Sequence, residues 1–402
     1  MQGGKTAVCH VTVVDLSRPE RDEDGIYLIK SGDQLKWFAD EVNLNNEQNI
    51  NAKLTDDIDL SEVCAEGADS WTPIGTAYAG TFDGQGHAIK GLYIDYKGSE
   101  DSYSQQYVGL FGTTKGAVLK NVSVYGTVKA SGRAVVAAAL CGRASNTQIT
   151  NCHNYANITT PAGASVYTAG LVAYADSETV ISRCSNIGTV EGSRAAGIVA
   201  YASGIAVIDC YNAGTVKATY GDAAAIASAS ESILTTSYTN CYNSGSVTSD
   251  KGTAWAIASA NAKNSYVNCY YLEGSAASEQ PEALRKIEKN NFAAAVLGEN
   301  WTDSCPLPVL DGQTVTQHVD ADNDGTCDTC QKTLRAVAGY SVSAAQHHQI
   351  CLSEEAEVAL HVESADAQTY NVYALKVTYD PAVLTYTGIV EKAGVTQTVH
   401  PV

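Results

Sequence analysis

The stretch Asp209-Cys-Tyr-Asn-Ala-Gly-Thr-Val216 is the clearest copy of the phrase that decides the fold of this chain. Related phrases surround four more cysteines, and the five follow one another at separations of 26 to 32 residues: Cys152, Cys184, Cys210, Cys241 and Cys269. A second phrase lies between the copies, as in Ala169-Gly-Leu-Val-Ala-Tyr174 and Ala196-Gly-Ile-Val-Ala-Tyr201. Self-similarity at this period is typical of a stacked architecture.

The two faces of each phrase follow from strand alternation. Successive side chains of a strand point to opposite sides, so Cys210 and Asn212 share one side and Tyr211 takes the other. A small apolar thiol suits the inside of a coil, which predicts inward, mostly free cysteines and outward tyrosines. Asn212 precedes Ala-Gly at a turn, where its amide can bond the equivalent amide of the next coil. We therefore expect one coil per repeat, with about three short strands in each.

The predicted fold class is all-β: a parallel β-helix (solenoid) capped by short helices and followed by a partial β-sandwich. Ser31-Gly-Asp-Gln34 has the pattern of a capping box and starts the first helix. Pro281, with Leu284 and Ile287 at helical spacing, predicts a second helix after the repeats. The expected domains are 1–16 (a terminal strand), 26–277 (β-helix with its cap), 278–316 (helical C-terminal cap), 317–334 (Asp/Cys-rich linker) and 336–402 (partial sandwich).

Composition excludes several classes of partner. The net charge is −19, from 44 Asp and Glu against 25 Lys and Arg. Phosphate backbones and anionic membrane surfaces both require clustered basic residues, so neither is an expected partner. No run of about twenty apolar residues occurs, so no transmembrane helix is expected.

The central region resembles the GLUG-repeat proteins. The matching segments are Gly109-Leu-Phe-Gly112, Gly80-Thr-Phe-Asp-Gly-Gln-Gly-His-Ala-Ile89, Asp57-Ile-Asp-Leu60, Trp71-Thr-Pro-Ile-Gly75 and the Cys-x-Asn-x-Gly-x-Val copies at Cys184, Cys210 and Cys241. The resemblance covers about residues 26–310, although Gly170-Leu-Val-Ala173 and Gly197-Ile-Val-Ala200 lose the final glycine. It implies a right-handed β-helix on the surface of a Gram-positive bacterium, without a defined catalytic activity.

Both ends of the chain resemble pieces of other modules. Ala374-Leu-Lys-Val-Thr-Tyr-Asp-Pro-Ala-Val-Leu-Thr-Tyr386 is similar to the first half of a cohesin-like sandwich, and residues 5–14 resemble the last strand of a group 2 bacterial Ig-like domain. These resemblances imply an excerpt of a longer modular protein, extracellular or on the cell wall, whose partners are glycans or dockerin-like scaffold proteins.

The acidic stretch after the repeats has two interpretations. Oxygen ligands at alternating positions with Gly325 at the sixth are typical of a calcium loop, although Gln331 replaces the final Glu of an EF-hand. The candidate calcium ligands are Asp320, Asp322, Asp324, Thr326 and Asp328. The alternative is a structural zinc site, because three thiolates and one imidazole can close a tetrahedron. Its candidate ligands are Cys305, His318, Cys327 and Cys330. A solvated acidic linker or a disulfide remains open as well.

Two functions of different class remain open. The first is a non-enzymatic surface module that binds carbohydrate or protein on the outward column of Tyr211, Tyr242 and Tyr270, since exposed stacked tyrosines can carry sugar rings. A purely stabilising aromatic ladder is the alternative for this column. The second function is a β-helical polysaccharide lyase or glycoside hydrolase, with carboxylates at Asp57, Asp59 or Asp83. A lyase would need Arg143, Arg183, Arg194 and Lys217 in one cleft with carboxylates.

Overall fold

The computed structural model describes residues 17–99, 101–161, 167–229, 234–259, 263–278, 280–287, 292, 294–305, 307–317, 319, 327 and 329, and two short strands further on. The chain divides into two units, Met1–Leu334 and Arg335–Val402. In the second unit the strands Ser343–Ala344 and Leu360–His361 pair antiparallel. The predicted terminal strand 1–16 and most of the predicted sandwich lie outside the described residues.

The first unit is a parallel β-helix with four sheets, each built from strands of successive coils. We number the sheets in the order that the chain enters them. Sheet 1 has ten strands: Glu20–Arg21, Tyr27–Ile29, Ala52–Leu54, Thr81–Asp83, Val118–Lys120, Gln148–Thr150, Val180–Ser182, Ala206–Ile208, Ser237–Thr239 and Ser265–Val267. Sheet 2 has thirteen strands: Ile58–Asp59, Ala88–Lys97, Ser123–Ser131, His153–Asn154, Asn157–Thr159, Ser185–Asn186, Val190–Gly192, Tyr211–Asn212, Val216–Ala218, Tyr242–Asn243, Val247–Ser249, Tyr270–Leu272 and Arg285–Ile287.

The two remaining sheets are smaller. Sheet 3 contains Gln106–Val108, Val135–Ala138, Tyr167–Ala169, Arg194–Ala196, Ala223–Ala224 and Ala254–Trp255. Sheet 4 contains Phe111–Lys115, Cys141–Ser145, Val172–Asp176, Val199–Ala202 and Ala227–Ala229. Every pairing in the four sheets is parallel except that of Glu20–Arg21 with Tyr27–Ile29. The all-β, parallel β-helical prediction is therefore confirmed.

Each regular coil holds five short strands rather than the three expected. The difference arises in sheet 2, which bends at the repeated asparagine. Asn154 ends one short strand, its Nδ2 donates to the Ala156 carbonyl at 3.1 Å, and its Oδ1 accepts from the Ala156 amide at 2.9 Å. This turn separates His153–Asn154 from Asn157–Thr159, whereas in the preceding coil Ser123–Ser131 runs through as one strand.

The core confirms the two inward ladders. The five repeat cysteines are buried and free, and each thiol contacts carbonyl oxygens, as Cys210 Sγ does with Ile208 at 3.2 Å. The amides of Asn154, Asn186, Asn212 and Asn243 are fully buried, and the Nδ2 of each of the first three donates to the Oδ1 of the next at 2.7 to 2.9 Å. The coils from Asn154 to Asn243 thus meet through one apolar and one hydrogen-bonded contact each.

A left-handed residue before each cysteine turns the chain from sheet 1 into sheet 2. Asn151, Asp209, Asn240 and Asn268 have φ between 49° and 54°. Asn and Asp adopt this conformation more readily than other non-glycine residues, which explains why they recur there. Arg183 occupies the same position with φ 54° and breaks the side-chain pattern.

The N-terminal cap agrees with the sequence and the C-terminal cap does not. Helix α1, Gly32–Leu44, starts at Ser31, whose side chain accepts from the Gln34 amide, and it buries Leu35, Phe38 and Val42. The second helix predicted from Pro281 is wrong over the described residues. There Arg285–Ile287 forms a strand parallel to Tyr270–Leu272, because it satisfies backbone groups that the last coil would otherwise leave unpaired. A short 3₁₀ turn follows at Ala294–Val296.

Candidate functional site

The outward column of sheet 2 is present but covered over its C-terminal half. Tyr211, Tyr242 and Tyr270 lie on consecutive coils and point away from the cysteine ladder, with exposures of 4%, 2% and 6%. The rings of Tyr211 and Tyr242 are stacked 5.1 Å apart. They are covered by the described residues from Phe292 to Thr314, which we call the strap. The expectation that these tyrosines are exposed is therefore wrong.

The strap packs against the tyrosines through its apolar side chains. Trp301 lies 5.8 Å from the Tyr211 ring and 5.3 Å from the Tyr242 ring, and Phe292 lies 5.3 Å from Tyr242 and 5.4 Å from Tyr270. Three aromatic rings that would face water are buried in this way, which is favourable by about 25 cal/mol for each Å² removed from water.

Polar contacts fix where the strap lies. Tyr242 Oη donates to the Pro308 carbonyl at 2.6 Å, and Tyr211 Oη donates to Gln313 Oε1 at 2.9 Å. The buried carboxylate of Asp209 accepts from Asn300 Nδ2 at 2.9 Å and from Trp301 Nε1 at 3.4 Å. The hydroxyls and the carboxylate are thus paired although they are buried. A ligand-binding role of the three tyrosines stays a prediction, and it would require the strap to leave.

The N-terminal half of the same column has no tyrosines and borders a groove, although His153 and Ser185 are themselves buried. Here the column residues are Ser123, His153 and Ser185 instead of tyrosines. A cavity of about 320 Å³ lies between Ser123 and His153 on one side and the end of the strap on the other. Its lining residues are Gly86, Asn121, Ser123, Asn151, His153, Tyr155, Ile187, Tyr211, Val309, Gly312, Gln313 and Thr314. Serine and histidine replace the larger tyrosine rings at these coils, and the space left between rod and strap is the groove.

His153 is the central polar group of the groove. Its Nδ1 lies 2.9 Å from Ser185 Oγ and 3.2 Å from Gln313 Nε2, and its Nε2 lies 3.2 Å from Asn151 Oδ1. The amide Nε2 of Gln313 can only donate, so Nδ1 accepts and Nε2 carries the proton. Burial, aided by the charge of Arg183, lowers the pKa of His153 to about 4. The imidazole is therefore neutral near pH 7.

A chain of amides continues from His153 across the groove. Asn151 Nδ2 donates to Asn121 Oδ1 at 2.9 Å, and Asn121 Nδ2 donates to Asp83 Oδ1 at 2.9 Å. Each amide is held by its neighbour one coil away, so the groups that line the groove have fixed donor and acceptor directions.

An aromatic ring forms one side of the groove. Tyr155 is half-buried and stacks on Tyr125 with the rings 4.4 Å apart and 2° from parallel. Tyr155 also lines the cavity, and the next residue in its column is Ile187, which is 37% exposed. Tyr125 thus supports one ring face while Tyr155 borders the groove. The Cys-x-Asn phrase did not indicate Tyr155, although Tyr125 one coil earlier is a signal that could have done so.

The carboxylates that suggested an enzyme have structural partners. Asp57 binds Lys90 Nζ at 2.8 Å, and hydrogen bonds from Lys90 and the Ala88 amide lower its pKa to about 2. Asp59 accepts from the Ser61 amide at 2.9 Å. Asp83 binds Lys120 Nζ at 3.0 Å. These contacts hold turns of the first coils together.

The four basic residues that a lyase would bring together are dispersed. Arg143 lies on sheet 4 and binds Asp176 at 2.7 Å, and Arg194 lies on sheet 3 beside Tyr167. Lys217 lies on sheet 2 and binds Glu191 at 3.1 Å, whereas Arg183 donates to the Asp311 carbonyl of the strap at 3.3 Å. They do not share one cleft.

The metal-site predictions fall largely outside the described part of the chain. This holds for all five candidate calcium ligands, Asp320, Asp322, Asp324, Thr326 and Asp328, and for His318 and Cys330 of the zinc alternative. Cys305 and Cys327 are described, and their Sγ atoms lie 3.6 Å apart. The calcium loop stays a prediction.

Comparisons with known proteins identify the fold alone. No protein-family model matches the chain, and no curated protein matches it. One solved structure that does match is a protein from Bacteroides ovatus described as a "putative immunoglobulin A1 protease". The two share 17% sequence identity with a TM-score of 0.52, over 73% of this chain and 94% of that one. This similarity supports the β-helical class. Within the described residues, no helix is long and apolar enough to cross a membrane.

Proposed function

We propose that this chain is a non-enzymatic, extracellular surface module of a bacterium that binds a neutral carbohydrate in the groove between sheet 2 and the strap. The observation that carries the proposal is the groove itself. Its volume is about 320 Å³, and it is bordered by the Tyr155 ring, the side-chain amides of Asn121 and Asn151, and the neutral imidazole of His153. Ligand pockets commonly begin at about 300 Å³, which is enough for one or two sugar rings.

The lining chemistry matches that of a sugar. A pyranose offers apolar C–H faces and a rim of hydroxyls, which suit an aromatic ring beside fixed amides and hydroxyls. Tyr155 supplies the ring, while Asn121, Asn151 and Gln313 supply side-chain amides. None of the described lining residues is Asp, Glu, Lys or Arg. A neutral glycan therefore fits better than a uronate or a phosphorylated ligand.

The same lining supports binding without turnover. Most glycoside hydrolases place two carboxyl groups about 5 to 9.5 Å apart on either side of the scissile bond. The described lining residues carry no carboxylate, and the nearby Asp83 is engaged by Lys120 and Asn121.

The surface location rests on the resemblance to GLUG-repeat proteins and to cohesin-like and Ig-like modules. In this proposal the rod presents the groove away from the cell, and the C-terminal sandwich provides a separate contact with a glycan or a dockerin-like protein.

Glycan-array screening of the full chain, followed by calorimetry on the best neutral oligosaccharide, tests the proposal. Tyr155→Ala should weaken binding at least about tenfold, or roughly 1.4 kcal/mol, because it removes the ring face. Tyr174→Ala is the matched control, since Tyr174 also belongs to a half-buried stacked pair, with Tyr201 on sheet 4 at 4.4 Å.

Three results would count against the proposal. Equal loss of binding in both variants would mean that the binding site lies elsewhere or that both substitutions damage the fold. Full binding by Tyr155→Ala would exclude the groove as the carbohydrate site. Shortened oligosaccharides detected by chromatography after incubation with the chain would show an enzyme.

A further inference from the structure

The strap closes one end of the groove at the turn 310–313. In this turn the Gln313 amide donates to the Leu310 carbonyl at 3.0 Å, and the Leu310 amide donates to Gln313 Oε1 at 3.1 Å. The Gln313 side chain also reaches the rod, where its Nε2 lies 3.2 Å from His153 Nδ1 and 3.5 Å from Ser185 Oγ. Strap and rod are therefore in direct contact at the coil of Ser185.

A second contact holds the same turn at the corner between sheet 1 and sheet 2. There Arg183 Nη2 donates to the Asp311 carbonyl at 3.3 Å. On the next coil Tyr211 is buried, and its Oη donates to Gln313 Oε1 at 2.9 Å. The turn is thus held both at the corner and on the outward column. A ligand in the groove cannot continue along the column toward the covered tyrosines.

The opposite end of the groove, at Gly86, is exposed. Gly86 and its neighbour Gln85 both face solvent, and a Cβ atom built on Gly86 would meet no other heavy atom within 4 Å. Ala88, Ser123 and His153 follow one another in register on consecutive coils. At about 4.8 Å per coil, this part of the groove is roughly 10 Å long.

We propose that the groove recognises the terminal unit of a neutral glycan chain and that the rest of the chain leaves past Gly86. This inference rests on the proposed carbohydrate site and specifies which part of the glycan lies in it. A groove that is closed at one end admits a chain by its end, whereas an internal segment requires a groove open at both ends. Tyr155 and Asn151 lie on the coil next to the closed end, so they would contact the terminal ring.

Counting bound proteins per glycan chain tests the inference with the unmutated protein. The probes are linear hexasaccharides of glucose, mannose, xylose and galactose, together with the matching unbranched neutral polymers, measured by titration calorimetry. For a sugar that binds, we expect one hexasaccharide per protein. We also expect each polymer chain to take up one protein however long that chain is. A number of bound proteins that rises with polymer length would show binding to internal segments and overturn the inference.

Gly86→Asn tests where the chain leaves the groove. Gly86 has φ 87°, which asparagine adopts more readily than most residues, and the new side chain would enter the opening. Binding of the hexasaccharide should weaken at least about threefold, while the corresponding disaccharide, which fits inside the groove, should bind as before. Gly116→Asn is the matched control. Gly116 has φ 79° and equally open space at its Cβ position, but it lies between sheet 4 and sheet 1.

The inference and the carbohydrate site can fail separately. Equal hexasaccharide binding by Gly86→Asn and Gly116→Asn would show that the chain does not leave past Gly86, and the inference would be wrong. Several proteins on one polymer chain would also make it wrong, although the groove would still be a carbohydrate site. If none of the glycans binds, both the carbohydrate site and the inference are wrong.

Discussion

The two halves of the outward column on sheet 2 share one backbone and differ in what their side chains permit. On the coils of Tyr211, Tyr242 and Tyr270 the rings stack and bind the strap. On the coils of Ser123, His153 and Ser185 the small polar groups leave a groove of about 320 Å³. The inward asparagine ladder passes from one half to the other, since Asn154, Asn186, Asn212 and Asn243 form one series. Shape and surface are therefore set by alternate residues of the same phrase.

Trp301→Ala should have the largest effect, because it exposes the tyrosine half of the column that the strap covers. The indole packs on Tyr211 and Tyr242 and donates to Asp209, and truncating a buried Trp costs about 3–5 kcal/mol. We expect strap amides to exchange hydrogen much faster while the coils keep their protection, as measured by hydrogen–deuterium exchange mass spectrometry.

Trp255→Ala is the control for this substitution, since Trp255 is half-buried on sheet 3 and donates to Asp222 Oδ2 at 3.1 Å. It should leave strap exchange unchanged. Loss of protection throughout the rod in Trp301→Ala would mean that strap and coils unfold as one unit. That result would contradict the view that the strap is a separate cover on the coils.

The half of the column without tyrosines should carry a pH dependence through the buried His153. Its pKa falls from 6.5 to about 4 on folding, so between these pH values the unfolded chain binds a proton that the folded chain does not. The free energy of unfolding contributed by this residue is thus complete above about pH 6.5. It falls by about 3 kcal/mol as the pH is lowered to about 4.

Urea unfolding of the unmutated chain and of His153→Gln across pH 4 to 7 isolates that contribution from those of the carboxylates. The difference between the two chains should shrink steadily toward acid pH. A difference that stays constant with pH would show that His153 titrates normally, and would remove the argument for a neutral imidazole in the groove.

Ser185→Tyr should extend the tyrosine stack by one coil toward the groove. Ser185 immediately precedes Tyr211 in the column, so a ring there continues the stack and occupies space beside Gln313 and His153. Carbohydrate binding should fall at least about tenfold by calorimetry. Ser182→Tyr, on the outer face of sheet 1, should bind as the unmutated chain does. Unchanged binding by Ser185→Tyr would show that the groove does not hold the ligand.

Most of the rod could be predicted from the repeat, because each coil meets its neighbour through equivalent residues. Alternation puts Cys210 and Asn212 on one side, and the small apolar thiol identifies that side as the inside. Their thiol and amide contacts follow from stacking one phrase on the next. The five strands per coil were not predicted. The bend at Asn154 depends on a local turn in which one amide bonds the backbone two residues on, and hydrophobic periodicity does not register it.

The strap and the groove could not be predicted, because both depend on contacts between residues without a common period. Trp301 meets Asp209 across more than ninety residues, and Gln313 meets His153 across 160. Alternation correctly turned Tyr211 outward, but it carries no information on which segment covers an outward ring. The helix predicted from Pro281 failed for a related reason, since an unpaired coil edge favoured the strand Arg285–Ile287.

The strap also fixes the number of coils that can lie beneath it. It spans from Phe292 on Tyr270 to Gln313 on His153, and its Trp301 and Pro308 contacts fall on the coils between them. A solenoid tolerates the gain or loss of a repeat wherever each unit meets only its neighbours. A coil inserted between His153 and Tyr270 would shift every strap contact by one register. Variation in repeat number among natural alleles should therefore concentrate before Ser123, with the coils beneath the strap kept at a fixed count.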